Sequence, residues 1–76
     1  MSRASWFVDQ RIAWIAESVR IFGAIKRQHI KAKFGVSTPQ ASLDIAETNR
    51  RHPTLLIYDA SLKTYRRNPA DPGAQG

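Results

Sequence analysis

Between Phe34 and Gln40 the chain reads F-G-V-S-T-P-Q, and this run restricts the fold more than any other. Gly35 accepts a left-handed backbone that residues with a Cβ avoid, so a helix arriving from the N-terminal side stops there. Ser37 then offers a hydroxyl to the unpaired N–H groups of a new helix, and Gln40 follows at capping-box spacing. Pro39 falls in the first turn, where its missing N–H costs nothing. Two helices must therefore meet across a tight corner. The second opens with Ser37, Thr38, Pro39, Gln40 and Ser42, which are small or polar and suited to staying outside a core.

The flanking segments supply that core. Val8, Ile12, Ile15, Val19 and Phe22 recur at three- and four-residue steps, predicting a helix over Ser5–Phe22 with those residues inward. Ser5 is the expected N-cap and Gly23 the stop. Phe7, Trp14 and Ile21 form a second stripe, roughly 100° round the helix. It either widens the apolar face or belongs to a partner surface. On the second reading Trp6, Phe7 and Trp14 are the candidate dimer interface, with another copy of the chain the simplest partner. Ala24 and Ile25 suggest a brief strand. Arg27–Phe34 reads as a short helix with Ile30 and Phe34 inward and Ala24 and Ala32 small enough for close packing. Lys26, Arg27, Lys31 and Lys33 load its exposed side. Lys26 stands at the N-cap, where Ser, Thr, Asn or Asp is preferred. The helix begun at Ser37 is expected to reach Arg50 or Arg51 before Pro53 stops it, with Val36, Ala41 and Ile45 inward and Leu43 exposed. The β-branched and aromatic runs after Pro53 predict a hairpin, Leu55–Tyr58 with Thr64–Arg67. Residues 68–76, rich in Pro and Gly, are expected to be a disordered tail after a domain spanning residues 1–67.

Seventy-six residues allow one small domain, and the absence of cysteine excludes disulfides and the usual zinc sites and fits a reducing cytoplasm. The apolar runs fall far short of the roughly 18 residues of a membrane span. Asp9, Arg11 and Glu17 are out of place in a secretory signal. Twelve Lys and Arg oppose six Asp and Glu, a net charge of +6 that draws polyanions, nucleic acid foremost. His29 and His52 have no partners in sequence, and no nucleophile elbow, phosphate-binding glycine loop or metal-ligand spacing occurs. The expectation is a non-enzyme without cofactor, metal, membrane or small-molecule ligand.

Helix, short helix, tight corner, helix and hairpin describe an α+β, mainly α, winged helix-turn-helix: three helices plus a C-terminal β-hairpin wing. In that motif the second helix of the corner, here 37–51, lays its N-terminal residues against base edges in the major groove of double-stranded DNA. The candidate DNA-binding residues are Arg27, Ser37, Thr38, Pro39, Gln40, Ser42 and Lys63. Gln40 suits a bidentate pair with adenine and equally a capping box. Ser37 is a helix cap first. Thr38 and Ser42 suit phosphate or base contacts, or a plain surface. Arg27 suits a phosphate, and Lys63, at the hairpin tip, the DNA backbone or minor groove. Leu43 suits a thymine methyl. Asp44 is ill-placed against a polyanion and is expected to bind a cation or backbone group inside the protein. Arg50 and Arg51 complement the negative end of their helix.

These residues also carry a resemblance. The run Gly35, Val36, Ser37, Pro39, Gln40, Ala41, Ser42, Asp44, Ile45, followed by Tyr58, Asp59, Ser61, Lys63 and Tyr65, resembles the N-terminal DNA-binding domain of WYL-domain transcriptional regulators. The nearest branch is that of repressors associated with phage-defence islands. Arg11–Glu17 is similar to that family's first helix, so the resemblance covers about Arg11 to Tyr65. It implies a homodimeric repressor that reads an inverted repeat, and the expectation for the chain is a cytoplasmic, nucleoid-associated regulator of mobile-element or defence genes. The family's C-terminal ligand-sensing domains have no counterpart in this sequence, and their ligand response does not carry over. Lys26 departs from the asparagine usual at that cap. Two rival readings are an excisionase-like architectural factor that bends DNA and a protein-interaction module that uses the first helix.

Overall fold

The computed structural model describes residues 3–72. The elements run α1 (Arg3–Phe22), β1 (Ala24–Ile25), α2 (Arg27–Phe34), α3 (Thr38–Arg51), β2 (Leu56–Asp59) and β3 (Thr64–Arg67). The sheet is antiparallel with strand order β1-β3-β2. The fold is thus mainly helical, with a hairpin wing whose inner strand is also held by the short strand between the first two helices.

α1 ends where Gly23, at φ 84°, donates its N–H to the Val19 carbonyl at 2.7 Å. The left-handed turn swings the chain against β3, where the Gly23 carbonyl accepts the Arg67 N–H at 2.9 Å. Ala24 then lies opposite Arg66, and Ile25 opposite Tyr65. The hairpin register sets Leu56 against Arg67, Ile57 against Arg66, Tyr58 against Tyr65 and Asp59 against Thr64.

The core forms where the three helices and β1 converge. Ile12, Ile15, Ala16 and Val19 of α1 meet Ile25, Ile30 of α2, Ala41 and Ile45 of α3, and Leu55. Val8, Trp14, Phe34, Val36, Leu56 and Tyr65 close over them. Fully burying a Val, Leu or Ile side chain contributes about 1.5–3 kcal/mol, so this cluster dominates the stability. Ala41 has no exposed surface. A larger side chain there would hold α3 off the helices beneath it.

Several expectations are corrected. Phe22 is 79% exposed rather than inward. It is the last residue of α1, one turn beyond Val19, and stands at the rim of an open groove between α1, β1 and α2. Ala32 lines the same groove and is exposed, so it is not a close-packing contact. α1 begins at Arg3, which places Ser5 inside the helix rather than at its cap. The first hairpin strand starts at Leu56, and Leu55 turns wholly into the core. Asn68 to Pro72 were expected to belong to a structureless tail, yet they carry defined contacts. The Asn68 N–H donates to the Leu55 carbonyl at 2.7 Å. Asp71 is 3% exposed and accepts from Arg20 Nε at 3.0 Å and Nη2 at 3.2 Å. Residues 73–76 of the expected tail lie outside the described residues. Among the described residues no helix is long and apolar enough to cross a membrane.

Candidate nucleic-acid interface

The corner between α2 and α3 has the geometry its residues dictate. Gly35 sits at φ 67° and donates its N–H to the Lys31 carbonyl at 2.7 Å, closing α2. Ser37 is extended, and its Oγ accepts the Gln40 N–H at 3.2 Å. Its carbonyl accepts the Ala41 N–H at 2.9 Å. Buried Ala41, Asp44, Ile45 and Thr48 seat α3 on the core. Ser37, Thr38 and Pro39 consequently face solvent, Gln40 and Ser42 are half-buried, and Leu43 is 63% exposed. The first turn of α3 is therefore open, as expected from the sequence.

Beneath that turn lies a polar network that links two helices. Asp44 is 2% exposed and uses both carboxylate oxygens. Oδ2 accepts from Arg11 Nε of α1 at 2.8 Å, and Oδ1 accepts from Gln40 Nε2 at 2.9 Å. Asp44 thus meets an internal cation, as its charge required. Gln40 does not close a capping box with Ser37; its side chain is committed one turn onward. The side chain that does reach back to a cap is His29, whose Nδ1 accepts the Lys26 N–H at 3.1 Å. This supplies at α2 part of what lysine cannot provide, and gives His29 a structural role at the cap.

The cations around α3 divide into committed and available ones. Arg50 donates to both Glu47 oxygens, Nε at 2.8 Å and Nη2 at 2.6 Å. Arg51 donates to Glu47 at 2.7 Å and to Asp9 of α1 at 2.8 Å. These bonds, Arg50's first, hold the Glu47 carboxyl down to about 2, so it stays ionised and keeps both arginines partly neutralised until strongly acid pH. Arg27 is exposed at the start of α2, and its guanidinium makes a long 3.3 Å bond to Ser42 Oγ on α3. That contact joins Arg27 to the open turn.

The wing presents a second cation by a local device. Asp59 Oδ1 accepts the Ser61 hydroxyl at 2.6 Å, the Ser61 N–H at 3.0 Å and the Leu62 N–H at 3.2 Å. The Ser61 hydroxyl first, and then the Leu62 N–H, hold the Asp59 carboxyl below its ordinary range. The wound turn leaves Lys63 exposed at φ 51°, the only positive value at a non-glycine residue among those described. Below it, Tyr58 and Tyr65 pack across the strands with ring centroids 4.8 Å apart. Asp59 and Ser61, the turn builders, are not among the candidate site residues read from the sequence. Their Asp-x-Ser spacing at a hairpin tip was the available signal.

The candidate dimer residues do not share one environment. Trp6 and Phe7 are 52% and 50% exposed and pack edge-on at 5.1 Å. Trp14 is half-buried and packs edge-on against Phe34 of α2 at 5.4 Å.

The sequence matches known proteins across this region. The family model described as the BrxR transcriptional regulator winged helix-turn-helix domain matches residues 8–70. A DNA-binding transcriptional repressor, CapW, from Escherichia coli is 40% identical over 63 residues, which are 83% of this chain and 21% of that protein. The CapW repressor of Pseudomonas aeruginosa is 38% identical over 63 residues, with the same coverage. The chain spans about a fifth of the length of these curated relatives. The two runs that carried the resemblance, residues 35–45 and 58–65, both lie inside the matched region. On the match over residues 8–70, which takes in the corner and the hairpin wing, the chain belongs to the family of BrxR transcriptional regulator winged helix-turn-helix domains.

Proposed function

We propose that this chain binds double-stranded DNA sequence-specifically, as the DNA-reading part of a transcriptional repressor, with the first turn of α3 in the major groove. The observation that carries the reading is that open turn. Ser37, Thr38, Pro39 and Leu43 face solvent while Ala41, Asp44 and Ile45 hold the helix from beneath. Thr38, Pro39, Gln40 and Ser42 read base edges and adjacent phosphates, and Leu43 offers an apolar contact to a thymine methyl. Arg27 and Lys63 supply salt-dependent phosphate contacts. The names of the CapW relatives, DNA-binding transcriptional repressors, support the same class of activity. The genes it controls are of the defence or mobile-element kind, and the protein works in the nucleoid.

Lys63 gives a test that separates binding from folding. A lysine at φ 51° is strained where glycine is not. Lys63→Gly is therefore expected to leave thermal stability unchanged or raised by up to about 1 kcal/mol. Its affinity for duplex DNA should nevertheless fall, with the slope of log K against log salt reduced by about one. An unchanged slope removes Lys63 from the interface.

The protein acts as a homodimer, with Trp6 and Phe7 in the contact between copies. Two recognition helices would then meet major grooves about 34 Å apart on an inverted repeat. Trp14, which packs against Phe34, lies at most at the edge of that contact. A selected DNA site without two-fold symmetry would remove the dimer from this proposal.

A further inference from the structure

We infer that Asp44, though buried and out of reach of any ligand, sets which base Gln40 recognises. The inference rests on the proposal that Gln40 reads DNA and adds a second residue to it. A glutamine carboxamide is nearly symmetrical in shape, and a free one turns either its oxygen or its nitrogen to a ligand. Gln40 lacks that freedom. Asp44 is acceptor-only when ionised, so the Gln40 nitrogen must be the atom that faces it, at 2.9 Å. The Asp44 carboxylate is fixed in turn from the other side by Arg11 Nε at 2.8 Å. One proton of Gln40 Nε2 is thereby committed, and the remaining edge of the amide consists of Oε1 and the second Nε2 proton.

That edge is one acceptor beside one donor. In the major groove adenine presents N7 as acceptor and N6–H₂ as donor, the complement of this pair. Guanine presents two acceptors, N7 and O6, and would leave Gln40 Oε1 facing an oxygen. Held by Asp44, Gln40 selects adenine over guanine; released, it loses that distinction. Gln40 and Asp44 are four residues apart on α3, the spacing at which side chains on one helix face meet. Arg11 comes from α1, so the first helix contributes to base choice without touching DNA.

Asp44→Asn tests this, because it changes the pattern of donors while keeping the shape. Arg11 is donor-only and draws the oxygen of the introduced carboxamide to itself. The new NH₂ group then faces Gln40 and requires Oε1, which turns the Gln40 nitrogen outward with donors that suit guanine. Affinities are measured for duplexes differing only at the base pair whose preference Gln40→Ala relaxes. For Asp44→Asn, the adenine-to-guanine affinity ratio at that pair is expected to fall on the order of tenfold or to invert. In the Gln40→Ala background, Asp44→Asn should cause no further change. An unaltered ratio in Asp44→Asn, or effects that simply multiply in the double variant, would overturn the inference.

The free protein supplies an arm that does not depend on DNA. In the unaltered chain one Gln40 side-chain amide proton should be shifted downfield and slowed in exchange relative to its twin by NMR. Two equivalent, rapidly exchanging protons would overturn the inference even if Asp44→Asn does not fold. If the NMR signature is present but Gln40→Ala alters preference at no base pair, the fault lies in the base-reading proposal. The contact then stands as a packing feature and the inference falls with that proposal.

Discussion

Ile15→Ala is expected to destabilise the domain by about 3–5 kcal/mol, a large fraction of what holds it together. Ile15 has no exposed surface and lies mid-way along α1, among residues from every layer of the core. Its removal loses transfer free energy and leaves a cavity that neighbours fixed on three helices cannot collapse to fill. A domain of this length has a total stability of roughly 4–11 kcal/mol at the usual per-residue values. The variant should therefore show a much lower urea midpoint and, at the weak end of that range, be largely unfolded at physiological temperature. Ile21 supplies the control. It is the same residue type on the same helix, but 64% exposed. Ile21→Ala should stay within about 0.5 kcal/mol of the unaltered chain. Equal losses in the two variants would contradict the orientation of α1.

Asp71→Ala is expected to cost about 2–3 kcal/mol, although it lies beyond the last strand in a segment of prolines and small residues. Its side chain is 2% exposed and bridges Arg20 of α1 at 3.0 Å and Arg67 of β3 at 3.7 Å. The hydrogen bond to Asp71 raises the Arg20 pKa above its ordinary value, against the opposing effect of partial burial. Removing one partner of a buried pair usually costs about 3–5 kcal/mol, because the other charge is left unpaired; about 2–3 allows for solvent that already reaches both arginines. For Arg67 the loss is sharper, since its Nε is buried without a hydrogen bond and faces the Asp71 carboxylate as counter-charge. The melting temperature should fall by roughly 8–20 °C for a domain of this size. A variant that melts with the unaltered chain would show that the segment after β3 is not held to the domain through Asp71.

What could be read from the sequence was local, and what could not was tertiary. The corner at Gly35 and Ser37, the bounds of α2 and the hairpin all follow from neighbours within a turn, and each is found within about one residue of its expected place. The exposure of Thr38, Pro39 and Leu43 followed in the same way, once Ala41 and Ile45 were assigned inward. Phe22 failed because helical periodicity says which face a residue is on, but not where along the helix the core ends. The Arg11–Asp44 and Arg20–Asp71 pairs join residues 33 and 51 positions apart, and nothing in a linear pattern brings them together. The Gln40–Asp44 bond is different, since its four-residue spacing is visible in the chain itself. It is masked because Gln40 also stands at capping-box spacing from Ser37, and one side chain cannot serve both. His29 is hidden for a similar reason, because a histidine three residues after the N-cap is an uncommon stand-in for Glu or Gln.

On the proposed function, the open first turn of α3 reads bases in a duplex. Selection of bound duplexes from a random pool, run in parallel with the unaltered chain and Gln40→Ala, is the decisive test. The unaltered chain is expected to enrich a defined motif containing adenine. Gln40→Ala should relax one or two base pairs of that motif, at a cost of about 1–3 kcal/mol on the original site. Recovery of no motif, or of the same motif with undiminished preference by both proteins, would contradict the claim.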